Sequence, residues 1–67
     1  MNSIEQFWDE LLSRDPIRIN NTYDVLGISD RQSVVEHLTS MTTKKGWHPS
    51  QKRSAQIALE VIHEHFK

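Results

Sequence analysis

Four residues of this chain break regular backbone, two prolines and two glycines, and their positions decide what it can become. Pro16 and Pro49 suit the first turn of a helix, where a missing N–H does no harm and φ is already helical. Gly27 and Gly46 suit the position just past a helix end, where a left-handed backbone is wanted. The spacing therefore predicts four helical segments, at about residues 4–14, 16–26, 30–45 and 49–66. Ile17-Arg18-Ile19 alternates, but it is too brief and too close to Pro16 to be a strand. The expected fold class is all-α, a small bundle of three to four helices in a single helical domain, residues 1–67.

Apolar spacing gives each segment an inner face. Ile4, Phe7, Trp8, Leu11 and Leu12 follow the i, i+3, i+4, i+7, i+8 pattern of one helical side. Ser3 with Gln6 has the form of a capping box. In the second segment Asp15 can cap the helix, and Ile19, Tyr23 and Leu26 share a face. Its isoleucines, asparagines and threonine form helix poorly, so this piece depends on its neighbours. In the third, Ser29 with Gln32 repeats the capping-box form. Val34, Leu38 and Met41 make the inner stripe there, with Val35 beside it. Lys44 and Lys45 suit the negative end of that helix, Gly46 caps it, and Trp47 is placed to fold back on Met41 or Thr42. In the fourth, Ala55, Ala58, Leu59, Ile62 and Phe66 lie together at helical spacing. The residues expected to be largely buried are Phe7, Trp8, Leu11, Leu38, Met41, Leu59 and Ile62.

Ile57 and Val61 fall almost opposite that face, one turn apart and in contact. One reading makes the fourth helix central, with both stripes buried in one chain. The other makes the pair the apolar centre of an interface rimmed by Arg53, Glu60 and Glu64. On the second reading the chain is a small non-enzymatic protein-interaction module. It docks on another protein or forms a weak homodimer through the outer face of the last helix.

With 67 residues and no cysteine, the chain cannot be stapled by disulfides and has no thiolate metal ligands. Its core must come from helix packing, helped where needed by oligomerisation. A net charge of −1 argues against strong non-specific binding to a polyanion. No apolar run approaches the roughly 20 residues that span a bilayer. The first residues also lack the profile of a signal peptide, so a cytoplasmic location is expected.

The near-neutral total still includes a local basic stretch, Lys44-Lys45-Gly-Trp-His-Pro-Ser-Gln-Lys52-Arg53. Lys44, Lys45, Lys52 and Arg53 flank one turn beside the free N–H groups of a helix start, which is anion-site chemistry. The alternative function is therefore helix-turn-helix-like nucleic-acid binding through residues 44–53, with Gln51 and Arg53 positioned to read bases. Against it, Glu60 and Glu64 follow on the same outer face and would meet phosphates badly.

Catalytic and metal chemistry find little in the residues. His63 and His65 diverge on a helix, His37 and His48 stand elsewhere, and Glu60 with His63 forms one isolated Glu-x-x-His pair. No nucleophile elbow or glycine-rich phosphate loop is present. No cofactor is expected, and the chain is not expected to be an enzyme.

The stretch Glu36 to Glu60 resembles small all-helical bacterial proteins that carry no assigned function. The likeness lies in the Gly-Trp-His-Pro-x-Gln turn and the Ser-Ala-Gln start of the last segment. It implies a bacterial, cytoplasmic origin and assigns no catalytic or binding residue.

Overall fold

The computed structural model describes residues 3–66, apart from the side chains of Ser3, Ile4 and Phe66. The expected Ser3–Gln6 capping box and the inward places of Ile4 and Phe66 lie outside the described residues. Four helices follow in order: α1 (Ser3–Leu11), α2 (Pro16–Asp24), α3 (Ile28–Thr43) and α4 (Pro49–Phe66). The all-α bundle expected from the breakers is the fold.

α4 organises it. α3 packs against one side of α4 as the other arm of a helical hairpin, and α2 lies along another side. α2 runs in the same direction as α4. Arg14, just before α2, bonds Ser50 and Ser54 near the start of α4, and Asp24 at its end meets His65 at 3.6 Å. α1 packs on α2. The buried core draws on every helix: Leu11, Ile19, Tyr23, Val34, Leu38, Met41, Ala55, Ala58 and Ile62. Ala55 and Ala58 are fully buried, and their small side chains let bulky Leu11, Ile19, Leu38 and Met41 fill the centre.

Four helix ends differ clearly from expectation. α1 stops at Leu11, not near Arg14, because the Ser13 hydroxyl donates to the Glu10 carbonyl at 2.7 Å and Arg14 turns left-handed at φ 65°. α2 stops at Asp24, and Leu26 N–H closes a tight turn on the Tyr23 carbonyl at 3.1 Å. Its start is as expected: Pro16 is the first residue, and Asp15 accepts from Ile17 N–H at 3.0 Å.

α3 begins at Ile28, two residues early, so Gly27 is its N-cap in an extended conformation, φ −73° and ψ 168°. Gly27 is therefore not a left-handed C-cap, and Ser29 lies inside the first turn instead of capping it. α3 also ends sooner, at Thr43, where the hydroxyls of Thr42 and Thr43 both donate to the Thr39 carbonyl. Lys44 and Lys45 lie beyond the helix, in the turn. Gly46 is left-handed as expected, φ 101°, but it serves that turn and not the helix end itself.

Burial departs from expectation at three residues. Leu11, Leu38, Met41 and Ile62 are buried, whereas Phe7, Trp8 and Leu59 are half-buried. Leu59 sits at the edge of α4, beside an open depression shared with Tyr23, Val35, Ile62 and His63. Phe7 and Trp8 belong to α1, which covers the outside of the bundle.

Candidate functional site

The turn between α3 and α4 is built by an imidazole. His48 stands at the N-cap of α4 and accepts Ser50 N–H through Nδ1 at 3.1 Å. Gln51 reaches back so that Oε1 accepts His48 N–H at 3.0 Å. This is a reciprocal capping box with histidine in the usual place of serine or threonine. Lys52 N–H bonds the His48 carbonyl at 3.0 Å, and Pro49 has no N–H to offer. The helix start therefore holds fewer free donors than an anion site wants.

Lys44, Lys45 and Arg53 are exposed around this turn, and Lys52 is half-buried. A cation that sequence reasoning missed joins them. Arg14 donates from Nε to Ser54 Oγ at 3.1 Å and from Nη2 to the Ser50 carbonyl at 3.1 Å and Ser50 Oγ at 3.3 Å. Residues 40 positions apart meet here, and nothing near Arg14 in the sequence signals it. The same contacts tie up Ser50, while the cap holds Gln51. Gln51, offered for base reading, is thus engaged within the fold, as is Ser50 beside it.

On α4, Arg53, Glu60 and Glu64 are exposed, whereas Ile57 and Val61 are half-buried and pack against the core. α2 is the reason, because it runs along that side. Pro16 and Asn20 of α2 face Glu60, Val61, Glu64 and His65 of α4 across an open trough of about 400 Å³. The Ile57–Val61 stripe is thus shared between α2 and solvent.

On the α1 side, four rings form a row. Phe7 meets Trp8 edge-on at 5.4 Å, Trp8 lies 4.7 Å from His37, and His37 meets Trp47 edge-on at 5.8 Å. Trp47 is half-buried against the core, and its ring meets His37 one turn before the expected Met41 or Thr42. The row joins α1 and the α3–α4 turn to α3.

The most exposed apolar side chains lie elsewhere. Val25 is 82% exposed, Ile28 77% and Ile17 71%. Val25 and Ile28 flank the corner between α2 and α3. Ile28 borders a depression of about 530 Å³ lined also by Tyr23, Arg31, Gln32, Val35 and Glu36. Tyr23 and Val35 line the neighbouring depression as well, so the apolar surface continues across α3 toward Leu59. Arg31 frames it, with Nη2 bonding the Asp24 carbonyl at 3.1 Å and its guanidinium 5.1 Å from the Tyr23 ring centre. From sequence, Ile28 belongs to a turn. Only the early start of α3 aligns it with Val35.

Among the described residues no cluster of three or more His, Asp or Glu side chains is placed to hold a metal ion. No described helix is long and apolar enough to cross a membrane. The chain matches no family model, no curated protein and no solved structure.

Proposed function

We propose that this chain is a small non-enzymatic protein-interaction module of the bacterial cytoplasm, docking through the corner between α2 and α3. One observation carries the reading. Ile28, 77% exposed, borders a depression whose apolar lining, Tyr23 and Val35, is shared with the next one, and Val25, 82% exposed, stands at the same corner. Side chains of this kind at the edge of an apolar depression mark an association surface. The outer face of α4, with Arg53, Glu60 and Glu64 around Ile57 and Val61, offers less. Its apolar pair is half-covered by α2, and what it presents to solvent is mainly charge.

The basic turn favours a second reading, nucleic-acid binding, because Arg14 adds a fifth cation to Lys44, Lys45, Lys52 and Arg53. Engagement of Ser50 and Gln51 in the fold leaves that surface better suited to phosphates than to bases.

Photocrosslinking in cells tests the docking surface, with a photoreactive phenylalanine placed at position 28 or, separately, at position 53. The proposal expects a discrete protein adduct from position 28 and none from position 53. Adducts from position 53 alone move the surface to α4. Adducts from neither position overturn the reading.

A further inference from the structure

The exposed side of α3 carries its own register. Ile28, Gln32, Val35 and Thr39 recur at alternating steps of four and three residues, the spacing of a coiled-coil seam. This seam is separate from the buried stripe of Val34, Leu38 and Met41 and turns away from it. Ile28, Gln32 and Thr39 are exposed and Val35 is half-buried, so the seam faces outward along about three turns of helix. Val25, 82% exposed, precedes the seam in the corner between α2 and α3.

The charges beside the seam identify what fits it. Arg31 lies on one edge and Glu36 on the other, both lining the same depression as Ile28 and Val35. In a parallel two-stranded pairing, opposite edges of the two helices meet, and residues five apart in sequence face each other. Arg31 and Glu36 have that separation. An antiparallel pairing brings like edges together, setting arginine against arginine and glutamate against glutamate. Arg31 is already held at the edge by Tyr23 and the Asp24 carbonyl. With five N–H donors on a planar guanidinium, it can keep that bond and still face a carboxylate.

We infer that the occupant of the α3 seam is a second copy of this chain, packed parallel and two-fold symmetric. Ile28 and Val35 meet the partner's Ile28 and Val35, and Arg31 faces the partner's Glu36. The two-fold makes each charge pair occur twice. Gln32 meets the partner's Gln32 between the two apolar layers, where a paired polar residue fixes register at some cost in stability. Few apolar side chains are covered, so the dimer is weaker than about micromolar. This inference rests on the proposed docking corner and names its partner.

Sedimentation of the full chain over a wide concentration range, with three variants, tests it. The wild type should move from monomer toward dimer as concentration rises. Ile28→Glu, at a 77% exposed position, should keep its helical circular dichroism while the dimer weakens more than about tenfold. The chain has no cysteine, so single-cysteine variants report cleanly on geometry. Thr39→Cys should oxidise readily to a disulfide dimer, because a parallel two-fold sets position 39 against itself. Gln56→Cys on α4 should not.

An antiparallel seam separates the two copies of position 39, so a dimer without that disulfide overturns the orientation. A dimer that survives Ile28→Glu, or that crosslinks through position 56, overturns the surface. A wild type monomeric at millimolar concentration overturns self-pairing. In that case in-cell adducts from position 28 with a different protein would still uphold the docking corner, so the two readings fail separately.

Discussion

A β-carbon added at Gly46 meets no atom within 4 Å, but it would sit on a backbone held at φ 101°. Gly27 has the same open surroundings with an ordinary extended backbone. The two glycines should therefore respond in opposite directions. Gly46→Ala should destabilise by about 1 kcal/mol, since L-residues resist positive φ. Gly27→Ser should stabilise by about 0.5–1 kcal/mol, by supplying a missing N-cap and restricting the unfolded chain. Chemical denaturation measures both, and equal signs would refute the assigned conformations. Arg14 is the one described residue other than glycine with positive φ, 65°. Its guanidinium bonds to α4 hold the strained backbone in place. Arg14→Ala keeps the strain and loses the bonds, and should cost about 1–2 kcal/mol. Arg14→Gly loses the same bonds but relieves the strain, so it should be the more stable variant by about 1 kcal/mol. An Ala variant as stable as the Gly variant would mean that no strain is stored there. No residue type announced this conformation, because arginine does not favour it and its partners are far along the chain.

Helix α4 was legible from end to end. Proline starts it, a long amphipathic pattern sustains it, and Pro49–Phe66 is what results. The other helices were legible in their middles but, apart from the Pro16 start of α2, less so at their ends. The stops of α1 and α3 are accompanied by hydroxyls of Ser13, Thr42 and Thr43 bonding nearby carbonyls, a competition that propensity and periodicity do not encode. His48 was opaque for a related reason. Histidine is outside the usual N-cap residues, although the Gln51 partner three residues on was in plain view. The inner stripe of α3 was legible, and it drew attention from the outer seam, which needs Ile28 inside the helix to be seen. The two leucines at helix interfaces now separate. Leu38 is fully buried on α3, and Leu38→Ala should cost about 2–5 kcal/mol. Leu59 is half-buried at the edge of α4, and Leu59→Ala should cost about 1–2 kcal/mol. Thermal unfolding of both compares them, and a larger loss at Leu59 would mean that the phase of α4 against α3 is wrong.

Across the whole molecule, one long central helix, α4, is flanked on two sides, which answers how a chain with few large apolar residues fills a core. The radius of gyration, 11.3 Å, is close to the roughly 11 Å expected of a compact chain this long. That economy leaves two ends of different character. Cations gather at the α3–α4 turn, and Glu60 and Glu64 lie toward the other end of α4. Binding of duplex DNA should therefore be confined to low salt and lost when Lys52 and Arg53 become alanine. Affinity that persists near physiological salt would revive the nucleic-acid reading. The proposed docking surface is at neither charged site but along α3, and the claim that association occurs there can be mapped residue by residue. The measurement is the change in backbone amide NMR shifts as the protein is diluted from millimolar to micromolar concentration. The account predicts that the largest changes cluster at Ile28, Gln32, Val35, Glu36 and Thr39. Changes centred instead on Arg53, Ile57, Glu60 and Glu64, or none at all, would contradict it.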